Sequence, residues 1–343
     1  MGRVSFGKTT KGEETFLYTL TNEGIRATVT DYGATLVSLY IHKKDGEEVD
    51  VVLGYDDVTG YEKGTYFFGC PVGRSANRIG GATFEINGVS YEMDKNENEN
   101  NLHSGLDFYH NRVWEVEEVT PESITFSLNS PHGDQGFPGN LKIFMTYEVT
   151  HEPMFKITYW GTPDQDTIIN LTNHSYFNLN GHDSGNILNH WVTIDGDYYT
   201  KTDEQYIPTG ILGEVEESPM DFRKGRRIGE AIDSDYEAIQ IGGGYDHNWA
   251  LNSDGDFQVV ATAKGDLTGI EMEVVTDLPG LQFYTGNFMV AGEGKRGAIY
   301  PHRGGFCFET QFFPDAIHHE NFMSPMTKAK EEYHSVTGYR FKV

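Results

Sequence analysis

The chain has 343 residues, and 52 acidic side chains against 26 basic ones give it a formal net charge of -26. This charge repels nucleic-acid phosphates and anionic membranes and disfavours strongly anionic ligands, so the expected ligand is neutral. No apolar run approaches the roughly 20 residues of a membrane span, and the N-terminal residues lack the apolar core of a signal peptide. We therefore expect a cytoplasmic protein.

Alternating apolar and polar residues predict strands, in chain order, at residues 15–20, 25–30, 34–41, 123–130 and 155–160. Between them, residues 83–93 form two alternating runs around Asn87-Gly88, a dipeptide typical of a tight hairpin turn. Helical periodicity is weak, and the best candidate covers residues 227–239. Without a linker or a fixed repeat, the sequence predicts one domain over residues 1–343, a large antiparallel all-β sandwich with few short helices.

Several other motifs fail on context. Residues 2–9 match the P-loop pattern, but a P-loop needs a buried strand before it and a helix after it, and a strand is expected after this one. His302 and the run His318-His319-Glu320 lack metal-ligand spacing, so we expect no metal. The two cysteines, Cys70 and Cys307, are expected to be reduced and mostly buried.

Residues 168–179, "IINLTNHSYFNL", combine strand-forming residues with many hydrogen-bonding groups. The two-residue period of a strand places four polar and aromatic side chains on one face: Thr172, His174, Tyr176 and Asn178. Such a mixture suits a neutral sugar, whose hydroxyls need donors and acceptors and whose C-H face packs on a ring. A solvated sheet face is the alternative.

The same period places Glu309 in the aromatic-rich run at residues 304–315, on the face opposite Phe306 and Phe308. A lone carboxylate there is costly unless it faces a polar cavity or a partner. Glu309 is therefore a candidate base, and a structural pair with an arginine is the alternative.

Six motifs in order resemble the aldose 1-epimerase (galactose mutarotase) family. They are "GRSANRI" at 73–79, "NNLHSG" at 100–105, "NLTNHSYFNLNGH" at 170–182, "GYDHNW" at 244–249, "LPGLQFYTGNF" at 278–288 and "FCFETQFFPD" at 306–315. The resemblance spans nearly the whole chain. It implies a galactose-mutarotase-like β-sandwich that binds a small-molecule aldose in a surface groove.

The resemblance implies that Glu309 is the general base and His174 the general acid. It further implies that the sugar is bound by His103, Arg78, Asp246 and Gln282, with Asn77 as a weaker candidate. His182, Asp183 and His247 receive no chemical role. One departure is Ser104, where many members carry glycine after the corresponding histidine, and the preceding "NENENN" run is also unusual. Both leave the backbone of the His103 loop and the substrate preference open.

Interconversion of sugar anomers needs a base at the C1 hydroxyl and an acid at the ring oxygen, so it requires no cofactor and no metal. Three alternatives stay open: a non-catalytic sugar-binding domain, a phosphohexose 1-epimerase, and a glycosidase, which would need two carboxylates. His103 is the alternative acid. We expect a monomer or a weak homodimer, and the preferred aldose stays undetermined.

Overall fold

The computed structural model of the chain describes residues 2–343 and consists mostly of strands. The strands are β1 (Val4–Lys8), β2 (Glu14–Thr21), β3 (Ile25–Thr30), β4 (Thr35–His42), β5 (Glu48–Asp50), β6 (Pro71–Val72), β7 (Arg78–Ile79), β8 (Thr83–Ile86), β9 (Val89–Glu92), β10 (Asn101–Leu102), β11 (Glu115–Val119), β12 (Ser123–Ser130), β13 (Leu141–Val149), β14 (Met154–Gly161), β15 (Thr167–Ile168), β16 (Thr172–Asn173), β17 (Trp191–Ile194), β18 (Tyr198–Thr202), β19 (Pro208–Glu214), β20 (Arg226–Arg227), β21 (Asp246–Ala250), β22 (Gln258–Lys264), β23 (Glu271–Thr276), β24 (Gly280–Tyr284), β25 (Gly292–Glu293), β26 (Ile299–Tyr300), β27 (Cys307–Gln311), β28 (Met326–Thr327) and β29 (Tyr333–Lys342). The described residues also contain two short α-helices, α1 (Val58–Lys63) and α2 (Glu237–Gly242), and several 3-10 turns. Neither α-helix is long or apolar enough to cross a membrane.

Three sheets carry the architecture, and their strands pair antiparallel. A nine-stranded sheet has the order β11-β12-β13-β14-β29-β23-β22-β17-β20, and one five-stranded sheet runs from β1 to β5. The second five-stranded sheet, which we call the site sheet, has the order β19-β18-β21-β24-β27. This arrangement confirms the predicted antiparallel all-β sandwich with few short helices.

The core lies between these sheets, and strands with one face in it alternate buried and half-exposed residues, whereas β24 and β27 of the site sheet are buried throughout. In β13 every second residue from Leu141 to Val149 is buried, as expected for a strand with one face in a core. One apolar cluster joins Leu39 of β4, Met145 of β13 and Phe283 of β24. A cluster shared by all three sheets supports our proposal of a single domain.

The predicted strands and the hairpin are confirmed. Residues 15–20, 25–30, 34–41, 123–130 and 155–160 lie in β2, β3, β4, β12 and β14, apart from residue 34, which precedes β4. Asn87 and Gly88 join β8 to β9 with φ of 53° and 76°, the left-handed values that this turn requires. Residues 2–9 contain the edge strand β1 and lead into β2 rather than a helix, so the P-loop interpretation fails.

The helix predicted at residues 227–239 is largely wrong. Only a short 3-10 turn at Ile228–Glu230 and the start of α2 at Glu237 are helical in this segment. Gly229 is a poor helix former, and Asp233, also a weak one, forms an ion pair with Arg303 at 2.9 Å. The spacing of buried Ile228, Ile232 and Ile239 reflects separate anchors in the core rather than one helical face.

Candidate active site

A cavity of about 550 Å³ opens above the site sheet, and its volume lies in the range of small-molecule sites. All seven residues predicted for the site line it. The lining residues are Thr65, Tyr66, Phe67, Asn77, Arg78, Glu97, Leu102, His103, His174, Tyr176, Tyr206, Asp246, Gln282, Tyr284, Phe288 and Glu309.

The register of the site sheet supplies three of the polar groups. Gln282 of β24 lies directly opposite Glu309 of β27, and β21 flanks β24 on its other side. Because side chains alternate along a strand, Phe283 and Phe308 point to the core while Gln282 and Glu309 face the cavity. Gln282 Nε2 donates to Asp246 Oδ1 at 2.7 Å, which orients the carboxylate of Asp246.

The strand expected over residues 168–179 is mostly absent: only Ile168, at the end of β15, and Thr172–Asn173 lie in strands. The neighbouring backbone instead makes hydrogen bonds to other segments of the chain: the His174 amide donates to Cys70 O at 2.8 Å, and His174 O accepts from the Gly69 amide at 3.1 Å. These contacts fix His174 over the cavity without a regular ladder.

Of the four side chains expected on one face of this segment, only His174 and Tyr176 line the cavity. The side chain of Asn178 turns away and donates to the carbonyls of Gly185 and Gly304, each at 3.0 Å. Thr172 lies within β16, which pairs with β6. Asparagine in this segment thus satisfies buried backbone groups rather than a ligand.

His174 and Glu309 face each other at the base of the cavity, with 3.7 Å between His174 Nε2 and Glu309 Oε1. Both are buried, with 6% and 2% of their surfaces exposed. Burial lowers the pKa of His174 to about 4. Burial, reinforced by the charge of Asp246 and opposed by Arg78, raises the pKa of Glu309 well above its usual value. Desolvation therefore favours the uncharged form of both groups.

Two buried oxygens at this position have no hydrogen-bond partner in the described residues. They are Glu309 Oε2 and Gln282 Oε1. Buried polar atoms are normally satisfied, so these neighbouring acceptors mark a place where a donor from a ligand is missing. A hydroxyl group of a neutral ligand would supply such a donor.

His103 reaches the same point from the opposite wall. Its Nδ1 accepts a hydrogen bond from the Asn77 amide at 3.1 Å, so its Nε2 carries the proton in the neutral ring. Burial, together with the charges of His174 and Arg78, holds the pKa of His103 well below its usual range. His103 thus presents a neutral N–H donor.

These residues also form the one group in the described chain whose ligand atoms could surround a metal ion. The ligand atoms of His103, His174 and Glu309 lie within 4.8 Å of one another. A metal needs a lone pair on each histidine, whereas the Asn77 amide engages Nδ1 of His103 and leaves a proton on Nε2. The geometry suits a sugar oxygen better than a cation, and a site without metal stays our prediction.

Aromatic rings surround both histidines. Phe67, which was not predicted, packs against His103 at 5.0 Å between ring centroids and against His174 at 5.6 Å. Tyr176 stacks on the other side of His174 at 5.2 Å. Packing from both sides restricts the rotation of the His174 ring.

The "NENENN" run forms a loop held by hydrogen bonds of its own side chains and backbone. Glu97 and Asn100 exchange backbone hydrogen bonds, and Asn100 Oδ1 accepts from the Gly81 amide at 2.9 Å. This loop directs Glu97 onto Arg78, where its two carboxylate oxygens bind Nε at 2.6 Å and Nη2 at 2.8 Å. Sequence reasoning missed Glu97, because its partner lies 19 residues earlier and no local pattern connects them.

The wall that carries Asn77 and His103 is held in a strained conformation. Phe67, Asn77, His103 and Ser104 all have φ between 55° and 60°, the left-handed region. For residues other than glycine this region costs about 1–2 kcal/mol per residue. Such strain is typical of functional sites, where surrounding contacts compensate for it.

Ser104 provides one of these contacts. Its Oγ accepts from the Ser75 amide at 2.9 Å and donates to Ser75 O at 2.8 Å, and all of these atoms are buried. The serine that departs from the family pattern therefore ties the His103 loop to the segment carrying Asn77 and Arg78.

Histidines without an expected role lie outside the cavity. His182 Nδ1 lies 3.2 Å from the hydroxyl of Tyr300, and His318 Nδ1 pairs with Asp315 at 2.6 Å. Cys70 and Cys307 are free and buried, as predicted, and Cys307 Sγ lies 3.5 Å from His174 Nδ1.

Comparison with known proteins places this fold among the galactose-mutarotase-like β-sandwiches. An aldose epimerase homologue from C. elegans superposes with a TM-score of 0.88 at 29% identity, covering 96% of this chain and 99% of that one. A galactose 1-epimerase from Lactobacillus acidophilus superposes with a TM-score of 0.86 at 26% identity, covering 99% and 98%.

The sequence comparisons identify the family. The aldose 1-epimerase family model matches residues 17–340. Human galactose mutarotase is 36% identical over 99% of this chain and 98% of its own length. The aldose 1-epimerase of Escherichia coli (strain K12) is 34% identical over 93% of each. The chain belongs to the aldose 1-epimerase family.

The tie through Ser104 can be tested by two substitutions. We expect Ser104→Ala to lower the free energy of unfolding by about 1–3 kcal/mol, because it leaves buried groups of Ser75 unpaired and keeps the left-handed strain. Ser104→Gly should lose less, because glycine adopts φ of 60° without strain. Urea unfolding of both variants measures the difference, and a Ser104→Ala protein as stable as wild type would show that the hydroxyl is not needed.

Proposed function

We propose that this chain catalyses the interconversion of the α and β anomers of a free hexose such as galactose or glucose. The observation that carries the proposal is the buried pair of His174 and Glu309, 3.7 Å apart, in a cavity lined by groups suited to a neutral sugar. The printed names of the human and Escherichia coli relatives, galactose mutarotase and aldose 1-epimerase, support it.

In the proposed mechanism Glu309 removes the proton of the C1 hydroxyl while His174 protonates the ring oxygen. The C1–O5 bond then breaks and leaves an aldehyde. After rotation about C1–C2, closure occurs on the other face: His174 takes back the O5 proton and Glu309 returns one to O1. No covalent intermediate forms, and each positioned proton transfer contributes about 10²- to 10⁴-fold.

Burial of the pair assists ring opening. Before opening, the pair carries charge, with His174 protonated and Glu309 ionised. After opening, both are neutral, which is the state that desolvation favours according to the pKa directions of both groups. Burial of the two side chains therefore lowers the energy of the open-chain intermediate relative to the charged starting state.

The same burial means that the sugar must help to create the starting state. In the empty cavity the proton is favoured on Glu309. Hydrogen bonds from sugar hydroxyls to Glu309, whose Oε2 has no protein partner, stabilise the ionised carboxylate and leave the proton to His174. Binding and activation are thus coupled.

Five further residues are proposed to hold the sugar. Arg78 and His103 donate to its oxygens, and Arg78 places positive charge near the reacting end. Asp246, oriented by Gln282, accepts from hydroxyls. Asn77 contributes mainly by positioning His103, because its backbone amide donates to His103 Nδ1 and its side-chain oxygen accepts from the Arg78 amide. We propose a cytoplasmic enzyme without cofactor or metal, as a monomer or a weak homodimer.

The alternatives receive less support from the cavity. A non-catalytic sugar-binding domain has no use for the buried His174–Glu309 pair. A phosphohexose epimerase would need free cations, whereas Arg78 is already paired with Glu97. A glycosidase would use Glu309 with Asp246, but Asp246 is engaged by Gln282.

The central test is polarimetry of freshly dissolved α-galactose and α-glucose. We expect the wild-type protein to accelerate the change of optical rotation. Glu309→Gln should keep sugar binding and lower kcat by at least about 10²-fold, because the amide cannot accept the C1 proton. His174→Asn should lose most of kcat as well. Glu320→Gln, which lies outside the cavity, is the matched control and should keep wild-type rates.

Each result decides a separate point. If folded wild-type protein leaves the rate of change of optical rotation unaltered for every common aldose, the enzyme proposal is disproved. Normal turnover by Glu309→Gln would remove Glu309 from the mechanism. Normal turnover by His174→Asn would assign the acid role to His103.

The pH dependence of kcat/KM gives an independent prediction, because the pair must hold one proton in total. Below a pH of about 4 His174 becomes protonated while Glu309 keeps its proton, so the pair holds two protons. No base then remains, and activity should fall. On the alkaline side, activity should fall as the last proton leaves, which the raised pKa of Glu309 places well above the usual range of a carboxyl. Activity that rose as the pH dropped through 4, with circular dichroism showing a folded protein, would contradict this assignment.

A further inference from the structure

Within residues 2–343 the cavity contains a single Lys or Arg side chain and several carboxyl groups. Arg78 is the only Lys or Arg side chain among the described residues that line it, against three carboxylates: Glu97, Asp246 and Glu309. The two histidines of the cavity have pKa values lowered by burial and add no stable positive charge. Any anion that enters therefore depends on Arg78.

Glu97 already pairs with Arg78 and balances its positive charge. A guanidinium binds carboxylates and phosphates through two parallel N–H groups, and Glu97 engages the Nε and Nη2 edge in this way at 2.6 and 2.8 Å. Burial alone would lower the pKa of Arg78, but the hydrogen bonds and charge of Glu97, with Asp246, raise it instead. The guanidinium therefore stays charged, and its Nε and Nη2 edge is paired with Glu97.

The remaining donors of Arg78 stay available. Its Nη1 has no protein acceptor in the described residues, while the ring of Tyr206 lies 4.7 Å from the guanidinium carbon and fixes its plane. Single N–H groups suit the hydroxyls of a neutral sugar. An anionic substituent would instead be repelled by Glu97 and Asp246, and the charge of Arg78 that could offset this repulsion is already balanced by Glu97.

We infer that Glu97 is a specificity residue that makes this site reject anionic sugars, namely uronic acids and sugar phosphates. This inference rests on the proposed function and adds to it which substrates are excluded and by which side chain. The loop at residues 96–101 positions Glu97, and its Asn100 side chain forms hydrogen bonds with Gly81 and Gln205.

The experiment compares α-galactose, α-galacturonate and α-galactose 6-phosphate as substrates of wild type, Glu97→Gln and Glu99→Gln. Glu99 lies in the same loop, is exposed and does not line the cavity, so Glu99→Gln removes the same charge without touching Arg78. We expect kcat/KM of the wild type to be at least about tenfold lower for either anion than for galactose. Glu97→Gln should narrow this ratio by at least about tenfold, and Glu99→Gln should leave it unchanged.

Two results would overturn the inference. One is wild-type turnover of galacturonate or of galactose 6-phosphate at the rate of galactose. The other is a ratio in Glu97→Gln that equals that of wild type or of Glu99→Gln. A fall in galactose turnover alone, with the ratio unchanged, would give Glu97 only a structural role and would also reject the inference.

Failure of the proposed function is separable from failure of this inference. If no aldose is turned over, calorimetric affinities of galactose and galacturonate for wild type and Glu97→Gln are compared instead, with the same expected ratios. If Glu97→Gln does not fold, Glu97→Ala is measured in its place and should narrow the ratio as well, because it also removes the carboxylate charge. A folded Glu97→Ala protein with the wild-type ratio would contradict the role of charge.

Discussion

Removal of His174 and Glu309 from water is the constraint on which the rest of the site depends. Two buried titratable groups 3.7 Å apart cannot be charged at low energy unless a ligand compensates them. In the proposed mechanism the sugar makes that state reachable, because acceptors are left open at Glu309 and Gln282 and the nearby imidazole of His103 stays neutral. In that mechanism, sugar binding and proton transfer both depend on the burial of His174 and Glu309.

Two kinds of structure hold the groups around this pair. Asp246, Gln282 and Glu309 lie on adjacent strands of the site sheet, so their spacing is set by backbone pairing and by the core beneath them. Asn77 and His103 come instead from loops in left-handed conformations next to the two-residue pairing of β7 with β10. One wall of the cavity is thus part of the sandwich, and the other depends on side-chain hydrogen bonds.

This division explains what the sequence could predict. Glu309 was found because strand periodicity applies where a real strand exists, and the sandwich followed from the same alternation. The segment around His174 was assigned to a strand, and two of its four expected side chains do not reach the cavity, since its backbone bonds to distant segments rather than to one ladder. Glu97 and Phe67 were missed because their roles arise from contacts across the fold, which leave no periodic pattern.

The family resemblance supplied Asn77, Arg78 and His103, which no local physical signal would have brought together. It could not supply the consequence of Ser104, because the effect of that residue depends on the buried amide and carbonyl of Ser75. Residues that act through backbone partners need the structure before their effect can be stated.

The loop at residues 96–101 packs little apolar surface and is fixed by amide and carboxylate side chains that bridge to Gly81, Gln205 and Arg78. Its sequence is therefore constrained by a few anchors rather than by the volume of a core. Exchanges between these anchors would change the wall of the cavity around Arg78 and remove no residue of the apolar core. In the proposed enzyme, this loop is therefore a place at which evolution or design can change the accepted sugar independently of the fold.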